Sequence, residues 1–396
     1  MVYCCSKRTI LALLYHFGGN WMNIFRPVFL SFMLLGGGFA ITPPDSGYDR
    51  PILDSSIWER IPGDLVWNFG NMYQPCVRQI EDKEYPWRMW FFGWAHEDCN
   101  PGVPGCDSIY LARSRDLKAW EIYSGENRWD AEMQPEKWAP VLAADDKEYG
   151  SWHVGDPSVV IRNGKYFMAY SSTSKPGFRA MKNHNDGMIL CVMGATSEDG
   201  IHWTRTQQPL LIEADNMLHA ATEEGYTGDF HRPSLMWDEG KWRLWFDYWH
   251  PTRGVCMGYA ENLGEFTDLE GFRILNAGQD ALIYNWPNPE VIRANGKYYS
   301  YADPNGYPPR VGDKNAGWTS RALCEAESED GIHWKINGFI TPDTDSAACH
   351  VPQATLIEQD GKPFIYLFYA TQRGGDPVFD YRYNRIRMMR RPVISR

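Results

Sequence analysis

The feature that most constrains this chain is a hairpin unit that recurs along it. At 153–171, His-Val-Gly-Asp-Pro-Ser leads into an apolar run, then Asn163-Gly164, then a second apolar run opened by Lys165. Asn-Gly between two apolar runs signals a tight hairpin, because both turn positions need φ > 0. The plan returns four times. Gln74-Pro75 leads to a polar turn at 81–85 and then Trp-Arg-Met-Trp-Phe-Phe-Gly-Trp-Ala, and Arg232-Pro233 leads to Asp238-Glu239-Gly240 and Lys-Trp-Arg-Leu-Trp-Phe-Asp-Tyr-Trp. Asn288-Pro289 leads to Ala294-Asn295-Gly296 and Lys-Tyr-Tyr-Ser-Tyr-Ala-Asp, and Val351-Pro352 leads to Gln359-Asp360-Gly361 and Lys-Pro-Phe-Ile-Tyr-Leu-Phe-Tyr-Ala. The five prolines fall roughly 55–80 residues apart. Five degenerate copies of one hairpin unit imply a radial repeat rather than a sandwich, so the expected fold is an all-β, five-bladed β-propeller.

A second repeat supports this. Ser197-Glu-Asp-Gly-Ile-His-Trp203 and Ser328-Glu-Asp-Gly-Ile-His-Trp334 are identical heptapeptides, and Arg113-Ser-Arg-Asp-Leu-Lys-Ala-Trp120 is a looser third copy. Asp-Gly supplies a turn and the tryptophan an apolar face, as in the outer hairpin of a blade. A chain of 396 residues with 36 Gly and 26 Pro suits a single many-turned β-domain over 45–396. Residues 45–66 are expected to give an outer strand and the lead-in to the first blade, and 380–393 to return to that same blade. The basic run at 385–391 reads as a solvated, edge-like strand.

Residues 1–44 lie outside this pattern. From Met22 a basic residue (Arg26) precedes about a dozen apolar residues and then small ones, the layout of a secretory signal peptide, so the protein is expected to be secreted or periplasmic. Of nine cysteines, Cys4 and Cys5 would be lost with it; Cys99 and Cys106 bracket a rigid Pro-Gly turn that a disulfide can close, while Cys76, Cys191 and Cys256 sit in apolar strands as buried thiols. No cysteine spacing suggests a structural zinc. A formal charge of −11 argues against nucleic acid or an anionic membrane as partner.

Equivalent positions of a propeller's innermost strands converge on its axis, so the residues around the five prolines are compared directly. Those immediately before are Gln74, Asp156, Arg232, Asn288 and Val351; two before are Tyr73, Gly155, His231, Pro287 and His350; four before are Asn71, His153, Asp229, Asn285 and Ala348. They are mostly polar and differ from blade to blade, as a shared funnel with divided roles requires. Glu290 adds a carboxylate just after its proline. Asp156, Asp229 and Glu290 are therefore the candidate catalytic acids, with Gln74, His153, His231, Arg232 and Asn288 as candidate substrate contacts. Three acids in one funnel have their pKa values set apart by burial and mutual repulsion. Trp152 and Trp286, with Trp67, Trp94 and Trp318, lie in loops near the hairpin starts and can stack on sugar rings; Trp90, Trp203, Trp245 and Trp334 read as inter-blade core. His350 and backbone oxygens are a candidate seat for an axial calcium ion.

The Gly-Asp-Pro-Ser start, the Ser-x-Asp-Gly-x-x-Trp hairpins and the Gly-Lys-Tyr/Trp second strands resemble the five-bladed propeller glycoside hydrolases over about residues 60–380. That group includes the arabinanase and β-xylosidase family 43, the invertase family 32, the neoagarooligosaccharide hydrolases and the mannoside phosphorylases. In the first two families a blade-1 Asp is base or nucleophile, a blade-2 Asp-Pro tunes or orients, and a blade-3 Glu is the acid. Asp156 matches the second role, whereas Gln74 and Arg232 stand where the first and third are looked for. The resemblance also implies that His231 or His350 can replace a carboxyl as proton donor. It implies an oligosaccharide or polysaccharide substrate cleaved by two carboxyl groups, with inversion the expected outcome. A non-catalytic carbohydrate-binding propeller and a phosphorylase with phosphate held by Arg232 and histidines are the alternatives.

Overall fold

The computed structural model describes residues 50–393 except 95–106, 146–147, 175–189, 213–229, 251–252, 269–270, 278–280, 308–320, 343–345 and 374–383. β1 (Glu59–Val66) precedes the first blade, which comprises β2 (Gly70–Gln79), β3 (Trp87–Trp94), β4 (Asp107–Ser114) and β5 (Trp120–Tyr123), with short β6 (Trp129–Asp130) and β7 (Leu142–Ala143) on its outer part. Blade 2 is β8 (His153–Arg162), β9 (Lys165–Thr173), β10 (Leu190–Ser197) and β11 (Thr204–Arg205), and blade 3 is β12 (His231–Asp238), β13 (Lys241–His250), β14 (Gly254–Asn262) and β15 (Arg273–Asn276). Blade 4 is β16 (Glu290–Ala294), β17 (Lys297–Ala302), β18 (Cys324–Ser328) and β19 (Trp334–Phe339); blade 5 is β20 (Ser346–Gln359), β21 (Lys362–Arg373) and β22 (Arg385–Pro392), completed by β1. Each blade is an antiparallel meander, and β2, β8, β12, β16 and β20 adjoin one another around the axis. This is the five-bladed propeller that the repeat implied.

The far ends of four innermost hairpins are tight turns: Asn163-Gly164, Glu239-Gly240, Asn295-Gly296 and Asp360-Gly361 all have positive φ at both positions, as the right-handed twist of the flanking strands demands. The near ends carry the prolines. Gln74, Asp156, Arg232, Asn288 and Val351 have φ of 50°, 51°, 46°, 54° and 49°. Positive φ is uncommon away from glycine, and a following proline further restricts the preceding residue. The pairing register slips there in blades 1, 2, 3 and 5. One extra residue bends the strand and re-aims its side chain, and Asn288 takes the same backbone conformation just before β16, so every blade presents such a residue at the same end of the axis.

Five apolar cores fill the five gaps between blades. The repeated heptapeptides lock two of these gaps. Ser197 Oγ accepts the amides of Asp199 and Gly200, and Asp199 Oδ1 those of Ile201 and His202; Ser328 and Asp330 repeat the pattern. The turn's free carbonyl then receives an indole from the second strand of the preceding blade: Trp90 Nε1 to Gly200 O and Trp245 Nε1 to Gly331 O, each at 2.9 Å. A Cβ at Gly200 would lie 2.8 Å from Trp90, which with its φ of +75° explains the glycine. Trp90 and Trp245 are fully buried; Trp203 and Trp334 are partly buried, each also donating to the turn carbonyl at 3.1 Å.

Two expectations about the ends change. Residues 51–53 pair with β19 of blade 4 (Leu53 N to Phe339 O, 2.8 Å; Phe339 N to Pro51 O, 2.7 Å), and the chain then crosses to β1, so this segment serves the last blades and β22 of the tail joins the same blade 5. The basic run is not a solvated edge. β22 is paired on both sides, Arg387 binds Asp64 and Arg390 binds Glu59, and Arg391 is buried against Glu325 Oε2 (2.9 Å) and Tyr301 of blade 4. The strand alternation sends these side chains toward β1 or the neighbouring blade. Cys76, Cys191 and Cys256, with Cys324, are free buried thiols as expected; Cys99 and Cys106 lie outside the described residues, as does the signal-like segment.

Candidate active site

The five bulged residues ring one mouth, and their positions are fixed by the neighbouring blade. The backbone amide of Arg232 donates to Ser171 Oγ (2.8 Å), that of Asn288 to Asp247 Oδ2 (3.0 Å) and that of Val351 to Asp303 Oδ2 (3.2 Å). Ser171, Asp247 and Asp303 stand six residues beyond the lysine that opens the second strand of blades 2, 3 and 4, Asp303 just past the end of β17, so the end of each second strand clamps the next blade's entry. The two aspartates also hold guanidiniums: Arg232 lies 3.3 Å from Asp247 Oδ2, and Arg321 binds Asp303, whose other oxygen takes the Asn288 amide group. Asp247 and Asp303 are buried, and desolvation raises both carboxyls while the arginines pull the other way.

Asp156 is the centre of this arrangement. It is 2% exposed, and burial above all pushes its carboxyl up to about 6. Asp247 and Asp107 add like-charge repulsion; Arg232 and the Ser171 hydroxyl oppose the rise. His231 Nε2 lies 3.6 Å from Asp156 Oδ2, and burial, Arg232 and His153 keep that imidazole neutral, well below its usual range. On the blade 1 side Asp107 Oδ2 stands 2.9 Å from His153 Nδ1. Blades 1, 2 and 3 thus bring Asp107, His153, Asp156, His231 and Arg232 into one electrostatic cluster.

Three bulged side chains keep polar atoms without a hydrogen-bond partner although all three residues are at most 2% exposed: both amide atoms of Gln74, Oδ1 of Asp156 and Oδ1 of Asn288. Buried polar atoms are almost always paired. Three exceptions at one mouth therefore indicate groups that meet a ligand or water.

One step below lie the residues after the prolines: Cys76, Ser158, Ser234, Glu290 and Gln353, all buried. Here each side chain links to the next blade. Cys76 Sγ accepts from Val159 N (3.3 Å), Ser158 Oγ from Leu235 N (2.9 Å), Ser234 Oγ from Val291 N (2.9 Å) and Glu290 Oε1 from Ala354 N (3.3 Å). Glu290 Oε2 also accepts from Ser234 Oγ (3.0 Å) and Gln353 Nε2 (2.9 Å), and Arg78 lies 3.9 Å from Oε1. Glu290 therefore closes the floor of the funnel, tying blades 1, 3 and 5 to blade 4, and burial pushes its carboxyl up to about 7. Both of its oxygens are committed to this floor.

The remaining expectations divide. Trp286 is fully buried, donates Nε1 to Ser300 Oγ (2.9 Å) and lies under Arg50, so it is core and offers no face to a sugar. Trp152 is partly exposed, edge-on to His153; Trp67 packs on the core between blades 5 and 1. Asp229, Trp318 and the side chain of Trp94 lie outside the described part of the structure. His350 is fully buried beside the Tyr73 ring, and Arg321 together with burial holds it neutral, a setting hostile to a cation. Among the described residues no three His, Cys, Asp or Glu converge as metal ligands. Sequence reasoning missed Asp107, Asp247 and Asp303. The last two carried a signal: each stands at the same distance beyond the lysine opening its second strand, where blade 2 has Ser171.

Fold and mouth together define the chain as a five-bladed propeller of the architecture used by glycoside hydrolases. A solved structure named only as a glycoside hydrolase superposes with TM-score 0.57 at 14% identity, over 86% of this chain and 92% of that one. A family 117 glycoside hydrolase from the marine bacterium Zobellia galactanivorans gives 0.54 at 11%, over 85% and 90%, and an alpha-L-arabinofuranosidase from Lactobacillus brevis gives 0.52 at 12%, over 84% and 95%. At these identities the likeness establishes the fold. The sequence matches no protein-family profile and no curated protein.

Proposed function

We propose that the protein is a glycoside hydrolase that cleaves its substrate at the axial mouth, with Asp156 as general acid. The observation that carries this is Asp156 itself: a buried carboxyl with one unpartnered oxygen, pushed up to about 6, in a ring of polar bulged residues. Burial and the carboxylates of Asp107 and Asp247 favour its protonated form, which is the state that donates to a departing glycosidic oxygen. In this reading the Asp156 proton passes to the leaving oxygen as the C–O bond breaks. A second carboxylate takes a proton from the water that attacks the anomeric carbon from the opposite face. Asp247, which Arg232 and the Asn288 amide favour as an anion, is the described candidate for that role, and Asp229 is the other. Inversion is the expected stereochemistry, and proton NMR of the first-formed anomer reads it. Glu290, bonded into the floor on both oxygens, is assigned to structure. The signal-like segment at 22–44 supports a secreted or periplasmic location.

The test is turnover of a panel of neutral and acidic oligosaccharides, with and without phosphate. Hydrolysis that Asp156→Asn depresses by ~10²–10⁴-fold supports the proposal. Saturable binding without products would instead make it a carbohydrate-binding propeller. Products appearing only with phosphate, as sugar phosphates, would make it a phosphorylase.

A further inference from the structure

The unpartnered atoms at the mouth have a definite chemistry. Gln74 supplies a donor and an acceptor from one planar amide, while Asn288 Oδ1 and Asp156 Oδ1 are oxygens, and the three residues are 1%, 1% and 2% exposed. The cations beside them are already engaged: Arg232 with Asp247, Arg321 with Asp303, and below them Arg78 with Glu290. A carboxylate or sulfate brings only acceptors, which Asn288 Oδ1 would repel, and the guanidinium charge beside it is already offset by Asp247 and Asp303. A hydroxyl both donates and accepts. An amide can therefore accept from one hydroxyl and donate to its neighbour on the same ring.

We propose that the base of the mouth is a specificity pocket in which Gln74, with Asn288, reads a pair of adjacent hydroxyls on a neutral sugar ring and excludes an acidic group there. This rests on the hydrolase reading for its location only. The contrast with the other bulged positions supports it. Val351 is apolar, and Arg232 is bonded to its neighbour, so the bulge itself does not require an unsatisfied amide. Gln74 carries the same strained backbone (φ 50°) and makes no hydrogen bond with its side chain, so packing alone does not account for a glutamine there.

The experiment measures binding by calorimetry to the full-length protein and to Gln74→Leu. The probes are neutral monosaccharides (galactose, glucose, xylose, arabinose, fructose), deoxy analogues of whichever binds, and glucuronate and galacturonate. The pocket predicts that at least one neutral sugar binds saturably, that its deoxy analogue and the uronates bind about 10- to 100-fold more weakly, and that Gln74→Leu loses a similar factor. In Gln74→Leu the discrimination between sugar and deoxy sugar should collapse while the melting temperature stays level or rises, which a structural role for Gln74 would not produce. A uronate binding as tightly as the neutral sugar, unchanged binding in Gln74→Leu, or no binding by any neutral sugar overturns the pocket. The two proposals fail separately. Cleavage confined to uronides removes the pocket and leaves the hydrolase, whereas neutral-sugar binding without cleavage removes the hydrolase and leaves the pocket.

Discussion

Glu290→Gln should remove about 2–3 kcal/mol of pH-dependent stability between pH 5 and pH 8 while leaving the chemistry nearly intact. Glu290 is 1% exposed, and its carboxyl rises from an ordinary 4.5 to about 7, chiefly by burial. A carboxyl whose folded pKa is raised binds its proton more tightly when folded, so its contribution is full below about 4.5 and is lost as pH climbs through about 7. A rise of about 2.5 pH units at ~1.36 kcal/mol each amounts to about 3 kcal/mol. Asp156, raised from 3.8 to about 6, adds about 3 kcal/mol by the same reasoning, lost between those two values as pH rises. His231 and His350, held neutral by burial, work the other way, because the unfolded chain protonates them below about 6.5, so the reading is the difference between wild type and variant in urea unfolding at pH 5 and at pH 8. From pH 5 to pH 8 the wild type should lose about 2–3 kcal/mol relative to Glu290→Gln and about 1–1.5 kcal/mol relative to Asp156→Asn, because about half of the Asp156 contribution is already gone at pH 5. Gln keeps the shape that meets Ala354 N and Gln353, so turnover should stay within a few-fold of wild type, against the large loss expected in Asp156→Asn. A Glu290→Gln variant whose stability changes with pH just as the wild type's does would refute the assignment of Glu290 as a buried, proton-hungry floor.

Four further outcomes are expected. The pH-rate profile of hydrolysis should show an alkaline limb near 6, because a general acid works only while protonated; a limb on the acid side alone would make Asp156 a base. Trp245→Phe removes a fully buried indole bonded to Gly331 O and should cost about 2–3 kcal/mol in urea unfolding; under about 0.5 kcal/mol would mean the turn is not a lock. Asp330→Ala strips two backbone amides of their acceptor and should cost about 1 kcal/mol, matched by Asp199→Ala in the twin loop; unequal costs would break the equivalence. N-terminal sequencing of protein recovered outside the cytoplasm should begin after about residue 40, and an intact Met1 on active cytosolic protein would end the export proposal.

The blade count was legible because the signal is imposed by backbone geometry. A proline after a bulged residue, and a two-residue turn needing φ > 0, leave few residue choices, so five copies survive as a pattern. The mouth was legible by position for the same reason: Gln74, Asp156, Arg232 and Asn288 stand where the prolines put them. What failed was depth and radius. Glu290 lies only two residues beyond Asn288, but that step carries it from the rim to the floor, where its oxygens join blades together. Asp247 and Asp303 look like the polar ends of apolar strands until the next blade's amide arrives to be clamped. The Asp107–His153 contact joins a third strand to the innermost strand of the following blade, and no local pattern encodes such a pair. Trp286 failed because loop position says nothing about which way an indole turns.

The pairing of β1 with β22 also sets an order of events during synthesis. Glu59 and Arg390, which meet across that pair, are 331 residues apart. At about 5–20 residues per second a ribosome needs on the order of tens of seconds to join them. Throughout that interval β1 has been made and its partner has not, so the first segment of the propeller to emerge is among the last to be satisfied. A nascent chain can complete blades 1 to 4 in sequence, but it holds a loose strand until its last residues appear. Any product ending before β22 presents two unpaired edges, β1 and β21, each a template for another copy. Truncated or stalled chains of this protein should therefore associate through blade 5, a hazard that the finished ring no longer carries.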